Sequence, residues 1–278
     1  MTCASRARVR GRHGRPDDEK YLFDLNGYLV VEGVLAAEEI RLANEAVDRH
    51  LPLGRLRPSD ESLDGGSDAL RGEVGRGELN GLLEWDSPWC EPFRAMLAHP
   101  ILVAYLNEML GPGFRMDHDM FLLWMDKGAE GFELHGSSGP GFDPNQYYLV
   151  RDGKMHNGLT VVALQLTDVN PGDGGLVVVP GSHKANFRCP EELRAYLKHR
   201  ENVRQVTCRA GDAVIFTEAV THETLPWTSD RPRRTVLTHY TAGNMAYVPA
   251  SDAPDWADER LRAVMQPPYH TRLNRPTL

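Results

Sequence analysis

The run Gly158–Val169, GLTVVALQLTDV, constrains the fold more than any other stretch. Its β-branched residues crowd a helix and fit a pleated surface, so it reads as a long strand. Alternation puts Val161, Ala163, Gln165 and Thr167 on one face, with Thr160, Val162, Leu164 and Leu166 on the other. The turn Asn170-Pro171-Gly172-Asp173-Gly174 follows, and then a short apolar strand, Gly175–Val179. Asp212–Phe216 and Thr235–Thr241 are two further strands, and Arg115–Met125 is an earlier one.

Helical signals come mostly before these strands. Ile40, Ala43, Val47 and Leu51 recur at helical spacing within Ala36–Leu51. Glu91–Leu110 reads as two helices broken at Pro100, the second stopped at Gly111-Pro112. Pro190–His199 and Trp256–Met265 read as later helices, and Tyr28–Val31 as a short strand after the turn Asn26-Gly27. Pro52–Gly81 lacks any period and reads as a long surface loop. Helices first and closely spaced strands afterwards predict an α+β chain, mainly β. Its β part is a sandwich or barrel rather than a parallel sheet.

Composition narrows the class. Of 278 residues 41% are hydrophobic and 25% charged, enough to bury a core. No run reaches 18 apolar residues, so no membrane span is expected. A net charge of −8 argues against a nucleic-acid partner for the folded body. Cys3, Cys90, Cys189 and Cys208 are scattered, which points to a reducing compartment, the cytoplasm, and away from thiolate metal sites. Five arginines fall within residues 1–16 before any acidic residue, so 1–16 is expected to be a disordered basic tail and 17–278 a single domain.

Several strings in order carry a family resemblance. FDLNGYLVVEGVL (Phe23–Leu35) precedes a helix, DGGLVVVPGSHK spans Asp173–Lys184, and Gly211-Asp212 opens the strand before His222. Arg233 follows His222 by eleven residues, and His135 stands in GFELHGSSGP (Gly131–Pro140). From about residue 21 onward the chain resembles the phytanoyl-CoA dioxygenase-like family of Fe(II)/2-oxoglutarate oxygenases. The resemblance implies a double-stranded β-helix, jelly-roll or cupin-like, with flanking N-terminal helices. It implies Fe(II) and 2-oxoglutarate as cofactors, and molecular oxygen and a small molecule as the reacting partners. It assigns His135 and His222 as iron ligands and Arg233, with Arg234 as the neighbouring alternative, as the partner of 2-oxoglutarate.

One position departs from the family pattern. The carboxylate ligand is expected two residues after the first histidine, where Ser137 stands, and a serine hydroxyl is a poor ligand for Fe(II). Three readings compete. Glu218 could complete the triad, with Asp143 and Glu133 as weaker candidates. Extended backbone would hold Glu218 and His222 roughly 13 Å apart, so the segment would have to curl. Alternatively a halide replaces the carboxylate, as in related halogenases, or two histidines suffice with water or substrate filling the gap, or catalysis is lost and the fold serves as a non-catalytic binding protein.

Other residues have weaker claims. Gln165 interrupts an apolar stretch and Asn157 precedes the same strand, so either amide could reach the cosubstrate. Trp124, Phe132, Tyr147 and Tyr148 could line a pocket, although aromatic residues beside strands more often belong to a core. His183 reads as a residue that holds a turn, and His118 as a barrel-wall histidine.

Overall fold

The computed structural model describes residues 8–9, 16–136 and 143–274. The elements begin with β1 (Arg8–Val9), α1 (Pro16–Asn26), β2 (Tyr28–Val31), α2 (Ala37–His50), β3 (Arg55–Arg57) and β4 (Arg76–Leu79). Next come α3 (Glu91–Leu97), α4 (Pro100–Leu110), β5 (Arg115–Met116), β6 (Phe121–Met125), β7 (Tyr148–Arg151), β8 (Lys154–Asn157) and β9 (Thr160–Gln165). The chain continues with β10 (Gly175–Val178), α5 (Glu191–Arg194), β11 (Arg204–Gln205), β12 (Ala213–Thr217), β13 (His222–Leu225), β14 (Arg233–Thr241) and α6 (Glu259–Met265).

The apolar run predicted as a strand becomes β9, in the middle of a large sheet ordered β1-β2-β12-β9-β14-β6-β4-β3, with β5 also on β14. A smaller sheet is ordered β11-β10-β13, and β7 and β8 form a separate hairpin. β9 runs antiparallel to β12 and to β14, with Gln165 opposite Thr235 and Thr160 opposite Tyr240.

Strand alternation sorts the core into two layers. Val162 and Leu164 of β9, Ile215 of β12 and Val236 of β14 pack outward against helix residues such as Phe93, Leu97, Leu102 and Leu106. Val161, Ala163, Val214 and Phe216 turn the other way and meet Leu176, Val178, Val206 and Val220 on the smaller-sheet side. Burying each of the larger of these side chains is worth about 1.5–3 kcal/mol, and the two apolar faces of β9 contribute to both layers. The result is a double-stranded β-helix with helices covering the outer face of its larger sheet.

Some elements differ from expectation. Residues 16–26 form a helix, with Asp17, Asp18 and Glu19 in its first turn, where carboxylates suit the helix dipole. It ends at Gly27, whose φ of 79° lets the chain reverse into β2. The polar stretch 52–81 is not all loop, because β3 and β4 extend the large sheet across β6. The helix expected over 190–199 closes after four residues, and Tyr196 and His199 take left-handed backbone. Within the basic stretch Arg8–Val9 lies parallel to Val30–Val31, and the rest of residues 1–15 lies outside the described residues. Among the described residues no helix is long and apolar enough to cross a membrane.

Candidate metal centre and cosubstrate pocket

The site lies where the two sheets meet. His135 and His222 exchange backbone hydrogen bonds, His135 N to His222 O at 3.0 Å and His222 N to His135 O at 2.8 Å. Their rings stand 4.4 Å apart. Gly136 permits this approach, since a Cβ there would sit 2.8 Å from Val220 O and 2.9 Å from Thr221 Cα.

Glu218 reaches the same point because β12 stops at Thr217. Val220 N donates to Thr217 O (3.0 Å) and Ala219 N to Thr217 Oγ1 (3.3 Å), so Thr217 closes a turn that curls the backbone. One nitrogen of each histidine and one carboxylate oxygen of Glu218 all lie within 4.8 Å of one another. Glu218 Oε2 is 4.0 Å from His135 Nε2, and Glu218 Oε1 is 3.7 Å from His222 Nε2. His239 Nε2 also lies 3.7 Å from Glu218 Oε1.

The electrostatics suit a cation. Glu218 is buried among three imidazoles. Burial lowers His222 below its ordinary range and pushes His239 down to about 4, so neither carries charge at neutral pH. His135 behaves differently. Burial would lower it, but Glu223 at 3.1 Å and then Glu218 outweigh that and raise it to about 9. A proton on His135 thus meets the acidic charge that a divalent ion would otherwise meet.

Arg233 faces the same cavity, which has a volume of about 460 Å³. It is 3% exposed, and Nη1 donates to Thr224 Oγ1 at 2.9 Å and contacts Met125 Sδ at 3.3 Å. Its Nε is buried without a hydrogen-bond partner. Burial draws the guanidinium down to about 10, still cationic at neutral pH. A buried cation with an unused N–H is suited to an anionic cosubstrate group. Arg234, one residue on, points to the opposite side and pairs with Asn44 and Asp48 of α2.

The remaining candidates separate clearly. Gln165 is buried on the inner face of β9, but Thr235 Oγ1 donates to its Oε1 and its Nε2 donates to Ala163 O. Those bonds occupy its amide, and it does not line the cavity. Asn157 is a correction: its Nδ2 donates to Met109 O at the end of α4, so its side chain serves the helical layer. Glu133 pairs with Arg194, and Asp143 accepts from Asn145 N. Phe132 lines the cavity, whereas Trp124 covers Gly54 and Gly77 and Tyr148 donates to Asp24. His183 holds a turn as expected, with Nε2 3.0 Å from Asp24 O. His118 lies against Asp117 and the ring of His239. Ser137 lies outside the described residues.

The sequence reading missed Arg57, Arg76, Glu78, Glu223 and His239, all in the cavity wall. His239 had a signal, since Arg233, Thr235, Leu237 and His239 share one face of β14. Arg57, Arg76 and Glu78 had none, because the stretch that carries them is polar and lacks a period.

Residues 23–235 match the phytanoyl-CoA dioxygenase (PhyH) family. The chain belongs to the phytanoyl-CoA dioxygenase family. It is therefore an enzyme of dioxygenase type. A related protein of this kind is the ectoine dioxygenase of Sphingopyxis alaskensis, 24% identical over 249 residues, covering 79% of this chain and 74% of that protein. Among solved structures, HygX from Streptomyces hygroscopicus with nickel, 2-oxoglutarate and hygromycin B bound superposes with a TM-score of 0.67. It is 21% identical and covers 92% of this chain and 96% of its own. The non-haem α-ketoglutarate-dependent carbocyclase SnoK from nogalamycin biosynthesis gives a TM-score of 0.56 at 18% identity, over 81% of this chain and 83% of its own. At these identities the structural likenesses establish the fold of this PhyH-family chain.

Proposed function

We propose that this PhyH-family enzyme is an Fe(II)/2-oxoglutarate-dependent oxygenase that hydroxylates a small molecule. His135, Glu218 and His222 would hold the iron and Arg233 would hold 2-oxoglutarate. The observation that carries the reading is the Glu218 carboxylate curled between two imidazoles in the cavity that also contains Arg233. Two imidazoles and one carboxylate suit non-haem Fe(II) and leave positions open. HygX crystallised with 2-oxoglutarate and the ectoine relative are consistent with these cofactors and with a small-molecule substrate.

Bound iron and 2-oxoglutarate would supply oxygen activation coupled to oxidative decarboxylation of the cosubstrate. The chain's own part is binding and exclusion. Glu218 supplies negative charge to the cation, while His222 presents Nε2 because its Nδ1 is 2.7 Å from Val220 O. Arg233, fixed by Thr224, would pair with the cosubstrate carboxylate. Val161, Ala163, Leu176 and Leu237 give the cavity apolar walls that keep water from the reacting groups. The carboxylate of Glu218 disfavours the halide reading, which needs that position empty.

Among the described residues Cys90, Cys189 and Cys208 form no disulfide, which supports a reducing cytoplasmic setting for a domain spanning 17–278. Purified protein loaded anaerobically with Fe(II) should bind one iron per chain and, once O2 is admitted, convert 2-oxoglutarate to succinate and CO2. Glu218→Ala and His222→Ala should lose both properties. Iron binding and turnover that survive both substitutions would refute the assignment, as would chloride-dependent halogenation of product.

A further inference from the structure

The two imidazoles of the centre are oriented alike, and only one of the groups that orient them is backbone. His222 turns Nε2 toward Glu218 and sets Nδ1 2.7 Å from the Val220 carbonyl. His135 also turns Nε2 toward Glu218, but its Nδ1 lies 3.1 Å from the Glu223 carboxylate. The distance is that of a hydrogen bond, but the ring N–H is not aligned on the carboxylate. Such misalignment is common before a site is loaded. Glu223 is held from its other side, because Arg76 Nη1 reaches its Oε1 at 3.3 Å. Arg76 in turn stacks over Phe132, with its guanidinium carbon 4.5 Å from the ring centre. Glu218 faces both imidazoles, whereas the ion-pair contacts of Glu223 are with His135 and Arg76.

We infer that Glu223 is a positioning residue for the metal centre: its carboxylate accepts a hydrogen bond from His135 Nδ1–H and so leaves Nε2 for the metal, with Arg76 holding the carboxylate in place. The inference rests on the proposed metal-binding role of His135. A neutral imidazole has one ring proton, and the hydrogen bond made by one nitrogen decides which nitrogen is free to ligate. A carboxylate acceptor also makes the ligating nitrogen more basic, and removing such partners typically costs 10- to 100-fold in metal affinity. Val220 O performs this task for His222 through the backbone, which no substitution can remove. Glu223 performs it through a side chain, so this half of the centre can be tested.

The test is Co(II) and Ni(II) binding by calorimetry on the full chain, together with the visible ligand-field spectrum of the Co(II) form. Both readouts are independent of turnover. The proteins are wild type, Glu223→Gln, Glu223→Ala, Arg76→Met and, as a control, Glu218→Ala. Glu223→Gln keeps the shape and loses the charge, so it separates positioning from folding, and a urea midpoint confirms each variant is folded. Both Glu223 variants should bind Co(II) 10- to 100-fold more weakly with a shifted spectrum, and Arg76→Met should lose less, about 3-fold. Folded Glu223 variants that bind within twofold of wild type and keep its spectrum would overturn the role of Glu223 and leave the metal centre standing. A wild-type chain that binds no Co(II), or a Glu218→Ala variant that binds it normally, would instead refute the centre itself and the inference with it.

Discussion

Neighbouring arginines on one strand make the sharpest test of the pocket. Arg233 and Arg234 differ by one position on β14, and strand alternation sends them to opposite sides. Arg233 is buried in the cavity with Nε unpartnered. Arg234 reaches Asn44 and Asp48 on α2, and the Asp48 side chain is 63% exposed. Removing one partner of a buried, hydrogen-bonded charge pair costs about 2–5 kcal/mol, and Arg233→Gln should therefore weaken 2-oxoglutarate binding by about 30- to 5,000-fold. Arg234→Gln removes an ion pair with a solvent-exposed carboxylate. It should cost stability by about 0–1 kcal/mol and leave the cosubstrate affinity within about twofold. The assay is anaerobic calorimetry of 2-oxoglutarate against the Ni(II)-loaded protein, with urea denaturation alongside. A folded Arg233→Gln protein that binds within threefold of wild type would refute the argument. So would an Arg234→Gln protein with the large loss.

Three other outcomes follow from the same geometry. Metal must displace the proton that Glu223 and Glu218 hold on His135, so Ni(II) affinity should keep rising between pH 7.5 and 8.5, by up to about tenfold per unit. An ordinary histidine would level off above its usual value near 6.5, and a flat profile in that window would contradict the raised value. His183 is buried and pushed down to about 4 by that burial, so it folds unprotonated, and its contribution is complete above about pH 6.5 and is lost as pH falls toward 4. It should account for about 2 kcal/mol of lost stability between pH 7 and pH 5, and His183→Gln should flatten the urea-midpoint profile by that amount. At Gly77 a Cβ would lie 1.9–2.2 Å from indole atoms of Trp124, so Gly77→Ala should destabilise by about 1–3 kcal/mol or more, read as a lower urea midpoint.

What could be read from the chain depended on whether a feature was periodic or contextual. β9 was legible because six consecutive residues are buried and their β-branching fits a pleated strand. The helices α2, α3 and α4 were legible from apolar spacing and from Pro100 and Gly111. β3 and β4 were not, since their residues are mostly polar and become a strand pair only through the neighbouring β6. Asn157 misled for the opposite reason: its type suited a cosubstrate carboxylate, but the nearest acceptor was the end of α4. An amide's chemistry carries no information about which side of a sheet it serves.

The carboxylate shows the same division within one segment. Extended geometry separates Glu218 from His222 by roughly 13 Å, and a period-2 reading can go no further. The structure brings Glu218 Oε1 and His222 Nε2 to 3.7 Å because Thr217 accepts from both Ala219 and Val220 and stops the strand one residue before the glutamate. The hydroxyl and carbonyl of one threonine therefore decide whether Glu218 can share an ion with His222. The expected family pattern places the carboxylate beside the first histidine. On the proposed assignment the same turn carries the carboxylate and the second histidine, so the strand end at Thr217 and the backbone bridge to His135 would together set the shape of the centre. Disturbing Thr217 should loosen the carboxylate while His135 and His222 stay paired through that bridge. Thr217→Val, which removes the hydroxyl and keeps the volume, should thus weaken metal binding more than it lowers the urea midpoint, and equal losses in both would tie Thr217 to folding alone.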